Sequence, residues 1–217
     1  MNKKIYSKEI IRRLKIKYPE SKIALKYTTP FELLVATILS AQCTDKRVNE
    51  VTKNLFNKYK SIEDYANCDI RELEKDIYST GFYRNKAKNI KKLAQEIIEK
   101  HNKNFPDDIN SLIKLPGIGR KTANVFLSNY HNKNIGVIVD THMIRISNLL
   151  GLVKNKRNAE IIEKELNDII PKKDYLVFSN LIISLGRDIC IARKPKCEIC
   201  PLNDICPSSK TKKTLLS

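Results

Sequence analysis

Cys190, Cys197, Cys200 and Cys206 stand near the end of the chain in the pattern C-x6-C-x2-C-x5-C, and they dictate how that segment folds. The opening Met1 to Ile11 carries charges without the apolar centre of a signal peptide. No stretch approaches the roughly 18 consecutive apolar residues of a membrane span, so the chain is expected in the cytoplasm and away from membranes. In that reducing compartment, four thiols so closely set favour a metal or cluster site over disulfides. Four thiolates suffice for a tetrahedral zinc ion or for a cubane cluster, and the spacing does not choose between them. Between the first two cysteines lie Arg193, Lys194 and Lys196, on a loop that a bound metal ties at both ends. A tied basic loop is a good phosphate clamp. Cys43 and Cys68 stand apart and read as ordinary thiols.

Helical periodicity dominates the remainder, and no alternating strand of useful length appears, so the fold class is all-α. Thr29-Pro30-Phe31-Glu32 is a helix start: Thr29 caps, Pro30 suits the first helical position and Glu32 completes a capping box. From Leu33 to Leu39 only Thr37 is polar, which predicts a helix through the centre of a domain. Ile90, Leu93, Ala94, Ile97 and Ile98 outline one face of another. Further helices are predicted near 7–18, 46–59, 120–131, 142–150, 157–169 and 174–187, with a solvated basic tail from Pro207 to Ser217. A short echo, Thr80 to Ala87 against Pro116 to Ala123, marks two tight helix–helix turns.

The 217 residues carry 41 Lys and Arg against 24 Asp and Glu, a formal net charge of +17. That balance points to a polyanion, with nucleic acid the first candidate. Leu115-Pro116-Gly117-Ile118-Gly119-Arg120-Lys121 supplies a place for it. A Pro-Gly turn and two glycines able to take positive φ precede a helix that opens on a basic pair. Backbone N–H groups exposed there, with the positive end of the helix, form a phosphate site in which Gly117, Gly119 and Arg120 take part. Lys121 has a second potential role. A lysine titrates ordinarily near pH 10.4, so as a nucleophile it must be desolvated or set beside positive charge, and Arg120 supplies the latter. Asp140, where an apolar run gives way to a helix, is either an N-cap worth about 1 kcal/mol or a carboxylate that stabilises positive charge on a sugar ring. His142 reads as a packed, hydrogen-bonded residue outside the site.

Together LSAQCTD (Leu39 to Asp45), GFYRNKA, LPGIGRKTANV, VDTH and the four-cysteine tail closely resemble the endonuclease III family, in the family's order and over nearly the whole chain. The resemblance implies a two-lobed helix-hairpin-helix glycosylase fold. One lobe, residues 23–132, is a helical barrel ending in the hairpin; the other joins 1–22 to 133–217 and holds a 4Fe-4S cluster on the four cysteines. It implies a monomeric DNA glycosylase and lyase that removes oxidised pyrimidines from double-stranded DNA and cleaves at the resulting abasic site by β-elimination. By motif match Lys121 becomes the Schiff-base nucleophile and Asp140 the catalytic carboxylate. Gln42 fills the helix near the extruded nucleotide, and Phe82 stands where the family often has a leucine wedge. Cys43 stands where the family often has alanine. Mismatch adenine glycosylases share the cysteine arrangement but usually lack a lysine at position 121. A non-catalytic zinc module has no need of both Lys121 and Asp140, and an electron-transfer protein would carry a cofactor motif or second cluster.

Overall fold

The computed structural model describes residues 2–154 and 157–211. Eleven α-helices and three short 3-10 turns make up the regular structure there, and no strand occurs among the described residues. The chain divides into two compact units, Ala24–Lys133 and a discontinuous one formed by Met1–Ile23 with Asn134–Ser217.

The continuous unit is built around a helix, Pro30–Leu39, whose residues from Phe31 onward are all buried. Its start follows the sequence reading: Thr29 accepts from the Glu32 backbone N–H, and the Glu32 carboxylate accepts from the Thr29 N–H at 3.1 Å, a reciprocal cap. Such a cap stabilises a helix by about 1 kcal/mol. Helices Asp45–Lys58, Tyr83–His101 and Arg120–Asn129 pack around it. The long helix Tyr83–His101 buries Ala87, Ile90, Leu93, Ala94 and Ile97, the spacing expected of one apolar face, while Ile98 lies half-buried at its margin. Three short helices went unpredicted: Ile62–Asn67, Ile70–Asp76 and Ile109–Leu112. Each starts on a side-chain cap, from Ser61, Asp69 and Asp108 respectively.

The discontinuous unit packs Tyr6, Ile10, Ile11 and Leu14 of the N-terminal helix Lys3–Lys17 into a core with Thr141–Leu149, Ala159–Asn167 and Tyr175–Asp188. The N-terminal helix also fastens the cysteine segment. Arg13 donates to the Pro201 carbonyl at 3.1 Å and pairs with Asp204, and the Tyr6 hydroxyl donates to the Ile205 carbonyl at 3.2 Å. The predicted tail is corrected in part: Ser209 is buried and bonded to Asn203, and Thr211 donates to the same Asn203 oxygen at 2.6 Å. Polar partners on Asn203 draw these residues onto the unit; residues 212–217 lie outside the described set.

Candidate functional site

The hairpin joins Ile109–Leu112 to Arg120–Asn129 and is anchored from below. Leu115 and Ile118 are buried, the Ile118 N–H donates to the Leu115 carbonyl at 3.1 Å, and Gly117 and Gly119 remain exposed. The two glycines differ in a way the sequence does not announce. Gly117 has φ +75°, and a Cβ there would lie 2.9 Å from Cβ of Asn89, so neither backbone nor space admits a side chain. Gly119 corrects the expectation of positive φ. It caps the following helix at φ −90°, ψ 173°, and a Cβ there meets no protein atom within 4 Å. Its hydrogen keeps open a surface beside the first N–H groups of the helix, where an anion is favoured by the helix dipole.

Arg120 and Lys121 occupy the first turn of that helix and both are exposed. Asp140, in the other unit, is half-buried. It is the N-cap of Thr141–Leu149, with Oδ1 accepting from the Met143 N–H at 2.8 Å. The preceding extended segment is pinned by side chains: Asn167 accepts from the Val137 N–H and Ser179 from the Ile138 N–H, each at 2.9 Å. Among the described residues no donor engages the second carboxylate oxygen of Asp140. His142 packs against Gly186, where an added Cβ would fall 2.5 Å from the imidazole.

Gln42 and Phe82 share an uncommon conformation. Both are exposed, and both have positive φ, +53° and +48°. Residues other than glycine adopt this region at a cost, and such strain gathers at ligand-binding turns. Gln42 follows the end of the central helix; Phe82 follows Gly81 (φ +71°), which matches Gly117 in the sequence echo. Near them lies a residue that sequence reasoning missed. Lys86 is 5% exposed, and its Nζ donates to the carbonyls of Leu39 at 2.9 Å and Thr80 at 2.8 Å. Burial draws its pKa below the ordinary lysine value. The signal was its register: Lys86 stands four residues before Ile90 on the apolar stripe of its helix, where a cation needs buried partners.

All four C-terminal cysteines line one cavity of about 230 Å³, with Leu149, Leu185 and Ile189 among its apolar walls. Arg145 Nη1 donates to Cys190 Sγ at 3.5 Å. Four thiols facing one cavity are the donor set that a cubane iron–sulfur cluster uses. Burial pushes the Cys200 thiol up to about 11, so its thiolate is favoured there only against metal charge. Arg193, Lys194 and Lys196 are exposed on the intervening loop, which the Lys196 N–H closes onto the Ile189 carbonyl at 3.0 Å. Cys43 and Cys68 are half-buried and remote in sequence from the cage. Among the described residues no helix is long and apolar enough to cross a membrane.

Residues 35–172 match the family described as HhH-GPD superfamily base excision DNA repair protein, and residues 190–206 match the iron-sulfur binding domain of endonuclease III. The chain is 47% identical over 209 residues to endonuclease III of Synechocystis sp., covering 96% of this chain and 95% of that protein. Two solved structures align over nearly all of it at 42% identity. One is a trapped endonuclease III–DNA covalent intermediate (TM-score 0.91, 98% of this chain and 100% of the other), the second a non-covalent endonuclease III–DNA complex (TM-score 0.92, 99% and 100%).

Proposed function

The chain belongs to the endonuclease III family of base excision repair proteins, and from that premise we propose how its own residues perform the reaction. It is a DNA glycosylase and abasic-site lyase that carries a 4Fe-4S cluster. In the proposal its substrates are oxidised pyrimidines in duplex DNA, and it works as a monomer on DNA in the cytoplasm.

A base inside a duplex is beyond reach of an amine, so the nucleotide must be extruded, at a cost of a few kcal/mol for unstacking. Phosphate contacts at the Gly117–Gly119 hairpin and at Arg193, Lys194 and Lys196 offset that cost, and Gln42 and Phe82 fill the space left behind. Lys121 Nζ then attacks C1′; the glycosidic bond breaks and the base departs with its electron pair. Asp140, whose capping hydrogen bond uses one oxygen, has the other for the positive charge that develops on the sugar and for the proton Lys121 must shed. The sugar ring then opens: the C1′–O4′ bond breaks, O4′ takes a proton, and the nitrogen lone pair completes the C1′=N imine. The imine acidifies the C2′ proton, and loss of that proton expels the 3′ phosphate. Cys190, Cys197, Cys200 and Cys206 hold the cluster, which when bound supplies metal–thiolate bonds that fix the basic loop.

The placing of Lys121 carries this reading: an exposed amine in the first turn of the helix that leaves the glycine hairpin. Borohydride should reduce the imine and lock wild-type protein to a thymine-glycol duplex. Lys121→Gln should bind that duplex and give neither adduct nor strand cleavage. Trapping by the variant at the wild-type rate assigns the chemistry to another amine. Base release by wild type without any trapping assigns it to water.

A further inference from the structure

Lys86 has no part in the chemistry above, yet its ammonium is buried between the two turns that carry the exposed Gln42 and Phe82. Its first acceptor, the Leu39 carbonyl, is the last of the central helix, three residues before Gln42. Its second, the Thr80 carbonyl, closes a 3-10 turn two residues before Phe82. Thr80 is itself 2% exposed and fixed by its hydroxyl, which donates to the Ile77 carbonyl at 2.8 Å. Lys86 belongs to the helix that Phe82 caps, and its backbone N–H donates to the Phe82 carbonyl at 3.1 Å.

The side chain of Lys86 therefore binds the end of one turn and the end of the other, while its backbone N–H holds the carbonyl of Phe82. We propose that Lys86 is a positioning residue for nucleotide extrusion, holding the Gln42 and Phe82 turns at a fixed separation so that both side chains enter the duplex as one rigid element. A lysine suits this task because its ammonium has three donors on a slender stem and reaches carbonyls on separate segments. A helix C-terminus also favours a cation, which fixes the strut at the Leu39 end. Two exposed residues at positive φ gain nothing from their strain unless something keeps them in register, and Lys86 Nζ is hydrogen-bonded to both turns.

The inference rests on the assignment of Gln42 and Phe82 to the space vacated by the nucleotide, and the test separates the two. Excision of thymine glycol requires unstacking a base; elimination at a preformed abasic site does not. Both rates are measured under single-turnover conditions for wild type, Lys86→Met, Lys86→Gln, Gln42→Ala and Phe82→Ala, with thermal melting of each. Both Lys86 variants should lose excision by about tenfold to a hundredfold, the scale of a displaced group away from the reacting atoms, while elimination stays within about threefold. Gln42→Ala and Phe82→Ala should lower excision selectively as well. If they do and the Lys86 variants do not, the strut is refuted alone; if neither alanine variant affects excision, the assignment beneath it fails. Equal loss of both activities in step with melting temperature makes Lys86 a helix-capping group only and overturns the proposal. Should Lys86→Met not fold, Lys86→Gln, which keeps a donor for one carbonyl, decides; failure of both to fold likewise assigns Lys86 to stability and overturns it.

Discussion

Replacing Gly119 by alanine separates binding from stability. In the free protein the new methyl meets no atom within 4 Å, and the backbone at φ −90° is open to any residue. Two modest effects oppose one another: alanine is the poorer N-cap by about 0.5–1 kcal/mol, and it stiffens the unfolded chain by roughly 0.4–1 kcal/mol. The melting temperature should therefore move by no more than about 2 °C. The methyl does occupy the surface where a phosphate must meet the first N–H groups of the helix. Losing one hydrogen bond to a charged partner costs about 1.5–3 kcal/mol, so affinity for abasic duplex should weaken by roughly tenfold to a hundredfold. Gly117→Ala provides the contrast. Positive φ costs alanine about 1–2 kcal/mol and a Cβ 2.9 Å from Asn89 Cβ adds about 1–3 kcal/mol, so melting should fall by roughly 4 °C or more. Fluorescence anisotropy with labelled abasic duplex and calorimetric melting provide both numbers. If Gly119→Ala binds as wild type does, or melts as low as Gly117→Ala, the division of labour between the two glycines is wrong.

Asp140→Asn keeps much of the cap on Thr141–Leu149 and removes the charge, so damaged-DNA binding should survive while single-turnover excision falls by about 10² or more; near-normal excision leaves Asp140 its capping role alone. Lys194→Ala with Lys196→Ala should reduce the slope of log affinity against log salt by about one per lost phosphate contact, and an unchanged slope places the binding surface elsewhere. Cys197→Ser should lower bound iron and sulfide in anaerobically purified protein and weaken DNA binding through the loosened 191–196 loop; full iron content with intact binding would count against the cage as described.

What the sequence disclosed depends on how local each determinant is. The central helix was readable because Thr29, Pro30 and Glu32 write its start within four residues and its apolar run has no competing period. The helices of six, seven and four residues at Ile62, Ile70 and Ile109 hold too few turns to display a period, and single capping side chains fix them instead. In the hairpin, glycine identity marked the turn, but only the backbone angles distinguish Gly117, which cannot carry a side chain, from Gly119, which leaves room for a visitor. Lys86 escaped because its partners lie 47 and 6 residues away, and nothing in the sequence brings Leu39 and Thr80 together. Four cysteines declared a metal centre, but four thiolates at that spacing serve a zinc ion as well as a cluster, and only the fold shows that all four line one cavity.

The fastening of the N-terminal helix to the cysteine segment sets an order of assembly. Arg13 and Asp204 are 191 residues apart, so at about 5–20 residues per second the helix leaves the ribosome roughly 10–40 s before its partner exists. Residues Ala24–Lys133 are contiguous and free to fold in that interval, while Ile10, Ile11 and Leu14 wait with their apolar face uncovered. Insertion of iron and sulfide needs Cys206, two residues beyond Asp204 in the order of synthesis. During synthesis the nascent enzyme therefore holds a folded continuous unit beside an exposed helical hook, and its metal centre is stitched only after that hook finds the cysteine segment.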